Sequence, residues 1–454
     1  GDGRYRGRGE CRHPGCANTR APVGRHQTTC RTVSRQSNPV GARLTGRCPI
    51  VSSLADGTKL PGEPPVVNAT VIDPGATLGV LGGGQLGAMF ATAARRLGYA
   101  VVVWDPDPEA PAHRLADSSL IRPFTDSAAC QDFIGRVCAV TYEWENVPAD
   151  LCEQLERDVP VRPSSRVLRV IQDRIEQKTF LRAHGLPVPG FHAISSPEEL
   201  SRQRALEYPL VCKTATAGYD GKGQWKIARA EDCAAVEEDL ARSLRPGSRW
   251  ILEAWLPFER ELSILVVRGM DGAVRAYPLV ENVHEEGILR QSTVPADVPA
   301  TVADQATVMA RSAVEALDGV GVFCVELFLM PDGRLLINEV APRPHNSGHY
   351  SLDACTVSQF EQQVRALCGL PLGEVRLLSP TVMLNLIGDE VLLATVSPAA
   401  QDLLREPGAV VHLYGKRVVR PKRKMGHISF LAATREAALS NASVFRSRLA
   451  RYHS

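Results

Sequence analysis

Acidic residues in the second half of the chain offer the plainest chemistry. Glu326 lies in the apolar run Val322-Phe323-Cys324-Val325-Glu326-Leu327, and after the turn Pro331-Asp332-Gly333 a second run carries Asn338-Glu339. A tight turn there sets Glu326 opposite Asn338 or Glu339 across an antiparallel pair. Two facing carboxylates in an apolar setting repel unless a cation lies between them. One of them pointing to solvent is the blander solution. The sharper one is an oxygen-ligand site for Mg2+, which takes one or two carboxylates and completes its octahedron with waters and nucleotide phosphates. Upstream, Ala217-Gly218-Tyr219-Asp220-Gly221-Lys222-Gly223-Gln224 lies between Leu210-Val211-Cys212-Lys213 and Trp225-Lys226-Ile227. Strand-like flanks make it a hairpin and not a P-loop. Asp220-Gly221 alone is an ordinary hairpin turn, but three glycines with Lys213 and Lys222 suit a flap whose amides and ammonium groups close over a polyphosphate.

Three further patterns carry possible chemistry. Gly82-x-Gly84-x-x-Gly87 follows a strand pattern and opens a helix, with Asp105 eighteen residues past the last glycine, which fits a dinucleotide fingerprint by position. A packing turn, a nucleotide cofactor and another phosphate-bearing ligand all remain open for it; common to the last two is a glycine turn offering amides and a helix N-terminus to an anion. His345 and His349 are spaced for a helical metal pair, yet the intervening Asn346-Ser347-Gly348 favours a substrate-binding loop. Lys416, Arg417, Arg420, Lys422, Arg423 and Lys424 place six bases in nine residues, which fits an anion site, a nuclear signal or a solvated turn.

Taken together these stretches resemble the ATP-grasp superfamily and, more narrowly, the N5-carboxyaminoimidazole ribonucleotide synthase family. Supporting segments are Tyr142-Glu143-Trp144-Glu145-Asn146, Gln172-Asp173-Arg174 with Gln177-Lys178, Asn282-Val283-His284, Asn385-Leu386-Ile387-Gly388 and Lys424-Met425-Gly426-His427. The most specific is Arg343-Pro344-His345-Asn346-Ser347-Gly348-His349 directly after Asn338-Glu339-Val340-Ala341-Pro342. The resemblance spans about residues 76–430.

It implies ATP-driven carboxylation of 5-aminoimidazole ribonucleotide by bicarbonate through carboxyphosphate, with ATP and Mg2+ required. It also implies a cytoplasmic homodimer. For ATP it implies Arg174, Lys178 and Lys213, the flap Gly218, Tyr219, Asp220, Gly221, Lys222, Gly223 and Gln224, and the hinge Glu253, Ala254, Trp255 and Leu256. Glu261 on the ribose, His284 near the nucleotide, and Asn338 with Glu339 complete that set. Glu326 and Glu339 are the implied Mg2+ ligands, and Lys213, Arg343 and His345 the catalytic groups. For the ribonucleotide it implies Gly84, Gln85, Leu86, Tyr219, Asp220, Arg343, His345, Asn346 and Ser347, with Lys416 and Arg423 on its phosphate through charge-assisted hydrogen bonds. Rival readings are another ATP-grasp ligase of the formate-dependent glycinamide ribonucleotide transformylase type, or a nicotinamide-dependent oxidoreductase. The second leaves Glu326, Glu339 and the flap unexplained.

These groups need a scaffold, and the apolar patterning describes an α/β chain. Ala76–Leu81, the glycine turn, a helix to Leu97 ended by Gly98, and Val101–Asp105 form a βαβ unit. Phe133 to Thr141 reads as another strand, and the alternation to about residue 170 predicts an open parallel sheet. After Pro163 a helix bearing Asp173, Arg174 and Lys178 leads into an α+β region with strands at 209–213, 224–228, 249–254, 261–267, 275–281, 320–329 and 334–340. A last segment has one strand, Thr381–Ile387, a basic turn and a closing helix. The expected domains are a disordered leader at 1–72, a Rossmann-like pre-ATP-grasp domain at 73–170, an ATP-grasp domain at 171–372 and a C-terminal domain at 373–454.

Composition agrees with a globular enzyme of several domains. The 454 residues are 44% hydrophobic and 22% charged, and no apolar run nears the roughly 18 residues that span a bilayer. Residues 1–75 hold 11 Lys and Arg against 5 Asp and Glu, leaving the remaining 379 residues at −4, which argues against a nucleic-acid partner. The basic leader has no apolar pattern able to build a core; its character suits a transit peptide or an upstream extension of the reading frame alike. Cys11-x-His13-x-x-Cys16 lacks a second pair at zinc-finger spacing. The eight cysteines beyond residue 75 read as buried thiols and not as a disulfide framework.

Overall fold

A run of small and β-branched residues from Thr77 favours an extended strand because nothing polar interrupts it until the glycine turn. In the computed structural model, which describes residues 71–203, 207–216, 218, 223–243, 247–395 and 398–452, that run is strand β1 (Thr77–Leu81). The leader up to residue 70, and Tyr219, Asp220, Gly221 and Lys222 of the flap, lie outside the described residues. With β2 (Ala100–Trp104), β3 (Ser118–Leu120) and β4 (Ala139–Tyr142), β1 forms a parallel sheet ordered β3-β2-β1-β4. Phe133, expected in a strand, belongs instead to the helix Ser127–Ile134. Asp126 caps that helix by accepting from Ala128 and Ala129, and Ala129, Cys130 and Phe133 bury one helical stripe.

The single helix expected after Pro163 is two. Ser165–Gln172 ends at Asp173, whose extended backbone (φ −111°, ψ 118°) breaks the helix while its carboxylate caps the next one, Arg174–Ala183. A small antiparallel sheet follows: β5 (Phe191–Ile194), β6 (Leu210–Thr214), β7 (Gln224–Ile227) and β8 (Trp250–Ala254), ordered β5-β8-β6-β7. β6 and β7 flank the flap, as the hairpin reading required.

The largest sheet contains β9 (Arg260–Arg268), β10 (Val274–Ala276), β11 (Val280–Glu285), β12 (Ile288–Val294), β13 (Gly321–Leu329), β14 (Leu335–Ala341), β15 (Thr381–Ile387), β16 (Ala409–Leu413) and β17 (Lys424–Leu431). Its order is β14-β13-β9-β11-β12-β15-β17-β16, with β10 paired to β9. The stretch 275–281 is therefore two strands, parted at Tyr277-Pro278-Leu279, since proline has no amide for the ladder. Helix Ala300–Leu317 packs the small stripe Ala306, Ala310, Ala313, Val314 and Leu317 into the core beneath β9 and β13.

Helix Gln359–Cys368 is wedged between the parallel sheet and the large one, and its polar side chains are used as ties. Gln363 accepts from Val322 N–H of β13 at 2.7 Å and donates to Thr141 Oγ1 of β4 at 2.8 Å. Gln359 accepts from His345 N–H and donates to the His345 carbonyl, both at 2.8 Å. Among the described residues seven cysteines are free and buried. No helix among the described residues is long and apolar enough to cross a membrane.

Candidate active site

In an open parallel sheet a crevice forms at the carboxyl ends of adjacent strands where the strand order reverses, here between β1 and β4. The glycine turn closes one side of it, and its amides are held by the chain's own carboxylates. Gly84 and Gly87 N–H donate to the two oxygens of Glu143 at 2.5 and 2.6 Å, and Gly83 N–H donates to Asp105 at 2.6 Å. A Cβ at Gly87 would lie 2.7 Å from the Gly82 carbonyl, and one at Gly84 would run into the Glu143 carboxylate. The dinucleotide reading therefore fails on occupancy. Asp105 is engaged by the turn, and a pyrophosphate would have to displace Glu143. Burial pushes the Glu143 carboxyl up, against the pull of the two glycine amides.

Glu145, two residues beyond, grips Arg343 in a bidentate pair: Nη2 donates to Oε1 at 2.9 Å and Nε donates to Oε2. The Gln172 amide fixes this strand end by donating to the Glu145 and Val147 carbonyls at 2.7 and 2.5 Å. Burial would raise Glu145, but Arg343 beside it holds it below the usual carboxylate range; burial likewise works against the Arg343 charge, and Glu145 raises it. Removing one member of a mostly buried ion pair leaves the other charge uncompensated. Glu145→Gln is therefore expected to cost about 3–5 kcal/mol in a denaturant titration. Adding Arg343→Met should restore part of the loss, whereas strictly additive losses would mean that the pair is not coupled.

Arg343 leads to the second wall. Glu326 on β13 and Glu339 on β14 are register partners, so of the two alternatives at the sequence level Glu339 is the opposing residue. Their repulsion is relieved by separate cations: His345 Nε2 lies 3.1 Å from Glu326 Oε1, and Arg174 Nη2 lies 3.4 Å from Glu339 Oε2. Arg174 also donates to the Gly218 carbonyl at 3.0 Å, linking the flap's base to the carboxylates. Behind His345 runs a chain of hydroxyls. Its Nδ1 meets Ser347 Oγ at 2.9 Å, and Ser263 bonds to Ser347 and to Asn282, each at 2.8 Å.

Burial alone would raise Glu326, yet His345 holds it down at about 2; burial alone would discharge His345, yet Cys324 and Glu326 hold it up at about 10. The Glu326 contribution to stability is full above the ordinary carboxyl value of 4.5 and is lost as pH falls through about 2. The His345 contribution is full below 6.5 and is lost as pH rises through about 10. The pair thus stabilises most between about pH 4.5 and 6.5. Melting temperature should fall between pH 6.5 and 10 in metal-free wild type, and Glu326→Gln should flatten that limb; an unchanged slope would show that the pair does not titrate there.

Two lysines converge on one buried carboxylate. Glu253 Oε2 is 2.7 Å from Lys213 Nζ and Oε1 is 3.2 Å from Lys178 Nζ, and Lys178 also donates to the Asn338 carbonyl at 2.8 Å. Against burial, the two ammonium groups hold Glu253 at about 2. The trio carries a net positive charge beside β14. Gln177 locks that strand, accepting from Val340 N–H at 2.9 Å and donating to the Val340 carbonyl at 3.2 Å. Glu261 Oε2 and His284 Nδ1 meet at 2.5 Å. In the hinge, Ala254 and Trp255 N–H are bonded to the Gly190 and Pro209 carbonyls, while Trp255 is 42% exposed, with Lys226 Nζ 4.0 Å from its ring centroid.

The basic segment closes over the first wall. Arg114 donates to the Gly415 carbonyl at 2.9 Å, Arg417 pairs with Glu109 at 3.2 Å, and Ala112 N–H donates to the Gly83 carbonyl, so the segment is tied to the glycine turn. Lys422 pairs with Glu286. Lys416 and Arg423 instead donate to backbone carbonyls, those of Lys424 and Val418. Asn346 forms a reciprocal amide pair with Asn385. His345 and His349 do not converge as a metal pair: a 3-10 turn, Asn346–Gly348, sends His345 to Glu326 and His349 to Gln359 and His427. Sequence reasoning did not single out Glu143, Glu145, Gln177 or Gln359 as site residues. For the first two a signal existed, since they follow the strand next to β1 at the order reversal.

Family models match the chain in three consecutive blocks: a ribonucleotide synthetase preATP-grasp domain over residues 75–172, an ATP-grasp domain over 179–360, and a phosphoribosylaminoimidazole carboxylase C-terminal domain over 381–441. The N5-carboxyaminoimidazole ribonucleotide synthase of Bacillus subtilis is 41% identical over 362 residues, 80% of this chain and 93% of that protein. The synthase of Brucella melitensis is 40% identical over 364 residues, 80% and 98% of the two chains. The crystal structure of the Aspergillus clavatus N5-carboxyaminoimidazole synthase with ADP and 5-aminoimidazole ribonucleotide superposes with a TM-score of 0.75 at 34% identity, covering 83% of this chain and 99% of that one.

Proposed function

This chain belongs to the N5-carboxyaminoimidazole ribonucleotide synthase family, and we infer from that membership that it carries out ATP-dependent carboxylation of 5-aminoimidazole ribonucleotide to N5-carboxyaminoimidazole ribonucleotide in purine biosynthesis. The observation that carries the inference is the Glu145–Arg343 pair, which joins the carboxyl end of the parallel sheet to the segment directly after β14. It sets an acceptor crevice beside a wall of carboxylates and cations suited to a nucleotide.

On this reading Lys178, Lys213 and Arg174 neutralise the ATP phosphates under the flap, and Glu261 and His284 line the nucleoside side. Phosphoryl transfer asks for charge neutralisation and alignment more than for covalent help from the protein. Glu326 and Glu339 fit Mg2+, being two facing oxygen donors of which Glu326 is kept ionised. The ion, when bound, supplies charge stabilisation to the transferring phosphoryl group. Bicarbonate takes that group and becomes carboxyphosphate, from which the exocyclic amine captures the carboxyl unit as phosphate leaves. His345, kept protonated beside Glu326 and backed by its hydroxyl chain, places positive charge near the developing negative charge, and Arg343 is held in orientation by Glu145. Lys416 and Arg423 take the ribonucleotide phosphate, and Gly84, Gln85 and Leu86 line the ribonucleotide away from that phosphate. A homodimer and a cytoplasmic location belong to the same reading and rest on family membership.

The test is ADP release with each acceptor, with and without bicarbonate. ADP formation that requires 5-aminoimidazole ribonucleotide, together with a bicarbonate-dependent carbamate product, is the expected result. ADP formation with formate and glycinamide ribonucleotide instead would move the chain to the transformylase reaction, and nicotinamide turnover without ATP would overturn the ligase reading.

A further inference from the structure

A second cluster of donor atoms lies behind the Asn346–Gly348 turn, apart from the ATP-facing carboxylates. His412 on β16 and His427 on β17 are register partners, so their side chains leave the same face of the sheet, and the rings stack at 4.5 Å and 12°. Asp353, from the short helix Ser351–Ala354, places both carboxylate oxygens 3.0 Å from His412 Nε2. One donor atom from each of Asp353, His412 and His427 falls within 4.8 Å of the others.

The cluster has an unsatisfied member. His427 is fully buried; its Nδ1 contacts the Tyr414 hydroxyl at 3.0 Å, while its Nε2 has no hydrogen-bond partner. A buried polar atom left unpaired costs free energy and calls for an explanation. With Nδ1 carrying the proton toward Tyr414, Nε2 presents a lone pair. His349, the neighbouring ring at 4.9 Å, also has an unpartnered Nε2, but with the opposite chemistry. The Gln359 amide is oriented by His345 N–H on its oxygen and the His345 carbonyl on its nitrogen. It therefore turns an N–H toward His349 Nδ1, which makes Nδ1 the acceptor and Nε2 the protonated nitrogen. His349 is thus excluded as a ligand and His427 is not.

We propose that Asp353, His412 and His427 form a binding site for a late first-row divalent cation of the Zn2+ type, distinct from the Glu326–Glu339 pair. Two imidazoles and one carboxylate are a donor set for such ions, with an open position left for solvent. His412 is the most exposed of the three and supplies the entry path. The cation takes the place of the hydrogen bond between His412 Nε2 and the Asp353 carboxylate. Bonds of roughly 2.0–2.1 Å need donors about 3.4 Å apart, so the two rings must turn out of their stack until both lone pairs converge, and His427 Nε2 has no hydrogen bond to give up. Tyr414 is the outer partner that orients the ligating ring. Bound metal would tie the β16–β17 hairpin to the helix bearing Asp353, at the root of the loop that carries Lys416 and Arg423.

The test is Zn2+ uptake by the full chain after chelator treatment, read by equilibrium dialysis with elemental analysis on wild type, His412→Gln, Asp353→Asn and Glu326→Gln. Thiols and leader residues contribute equally to all four, so the difference is the readout. His412→Gln and Asp353→Asn should each hold one equivalent less than wild type, whether or not Glu326→Gln, whose carboxylate pair also attracts divalent cations, loses an equivalent of its own. With Co2+ as probe, the visible band of a nitrogen-ligated ion should disappear in the same two variants. Both positions are partly exposed, and circular dichroism verifies folding, so either variant alone carries the test. Equal uptake by all four proteins would show that the nitrogens merely satisfy one another and would overturn the proposal. Loss confined to Glu326→Gln would overturn it too, by placing the ion at the carboxylate pair.

Discussion

Turnover of Glu326→Gln and of Glu339→Gln should fall by about 10²–10³, the usual loss when one group that stabilises transition-state charge is removed, and the Mg2+ concentration for half-maximal rate should rise. The two residues face each other across β13 and β14, so either substitution halves the negative charge available to a cation between them. The variants differ in what they release: Glu326→Gln frees His345, and Glu339→Gln frees Arg174. The first should therefore also lower the His345 titration, which proton NMR of its ring would follow, while the second should leave it in place. A wild-type Mg2+ titration in either variant would remove that residue from the metal site.

Lys416→Ala and Arg423→Ala should raise the apparent constant for 5-aminoimidazole ribonucleotide roughly 10- to 150-fold each, with little change in that for ATP. A charge-assisted hydrogen bond to a phosphate monoester is worth about 1.5–3 kcal/mol, and each 1.4 kcal/mol is tenfold. Within the same segment Arg417 and Lys422 are paired with Glu109 and Glu286. Arg417→Ala therefore serves as the control and should shift the ribonucleotide constant far less. A solvated turn or a nuclear signal predicts no kinetic change in any of the three. Wild-type constants for both Lys416→Ala and Arg423→Ala would remove this cluster from the substrate site, and Glu143 at the glycine turn makes that turn a poor alternative for an anion.

Local signals carried much of the fold. Thr77–Leu81 with its glycine turn, the β6–β7 hairpin and the Glu326–Glu339 hairpin follow from apolar runs bounded by turn residues, each within about 20 positions. Strands with polar faces escaped. Ile288–Val294 reads Leu-Arg-Gln-Ser-Thr in its middle, and its alternation is hidden because Ser292 and Thr293 are buried in hydrogen bonds and not exposed. Likewise β16 and β17 flank a basic run that drew attention to its charge. Occupancy was illegible for another reason. Residue type and spacing place Asp105 near the glycine turn under either reading, and only the fold shows that Gly83 takes its carboxylate. Glu145 and Arg343 lie 198 residues apart, so no local pattern joins them.

β15 extends the ladder begun by β14, β13, β9, β11 and β12, so the strands bearing Glu326 and Glu339 and the hairpin from which the basic loop projects are one continuous sheet. The spacing between the Glu326–Glu339 strands and the basic loop is then built into a hydrogen-bonded lattice and is not adjustable at a hinge. Any closing over the reactants falls to the separate β5–β8 sheet. The same continuity makes the last eighty residues inseparable from the enzyme: without β15, β12 becomes a bare edge with unpaired amides and carbonyls, the kind of surface that recruits other chains.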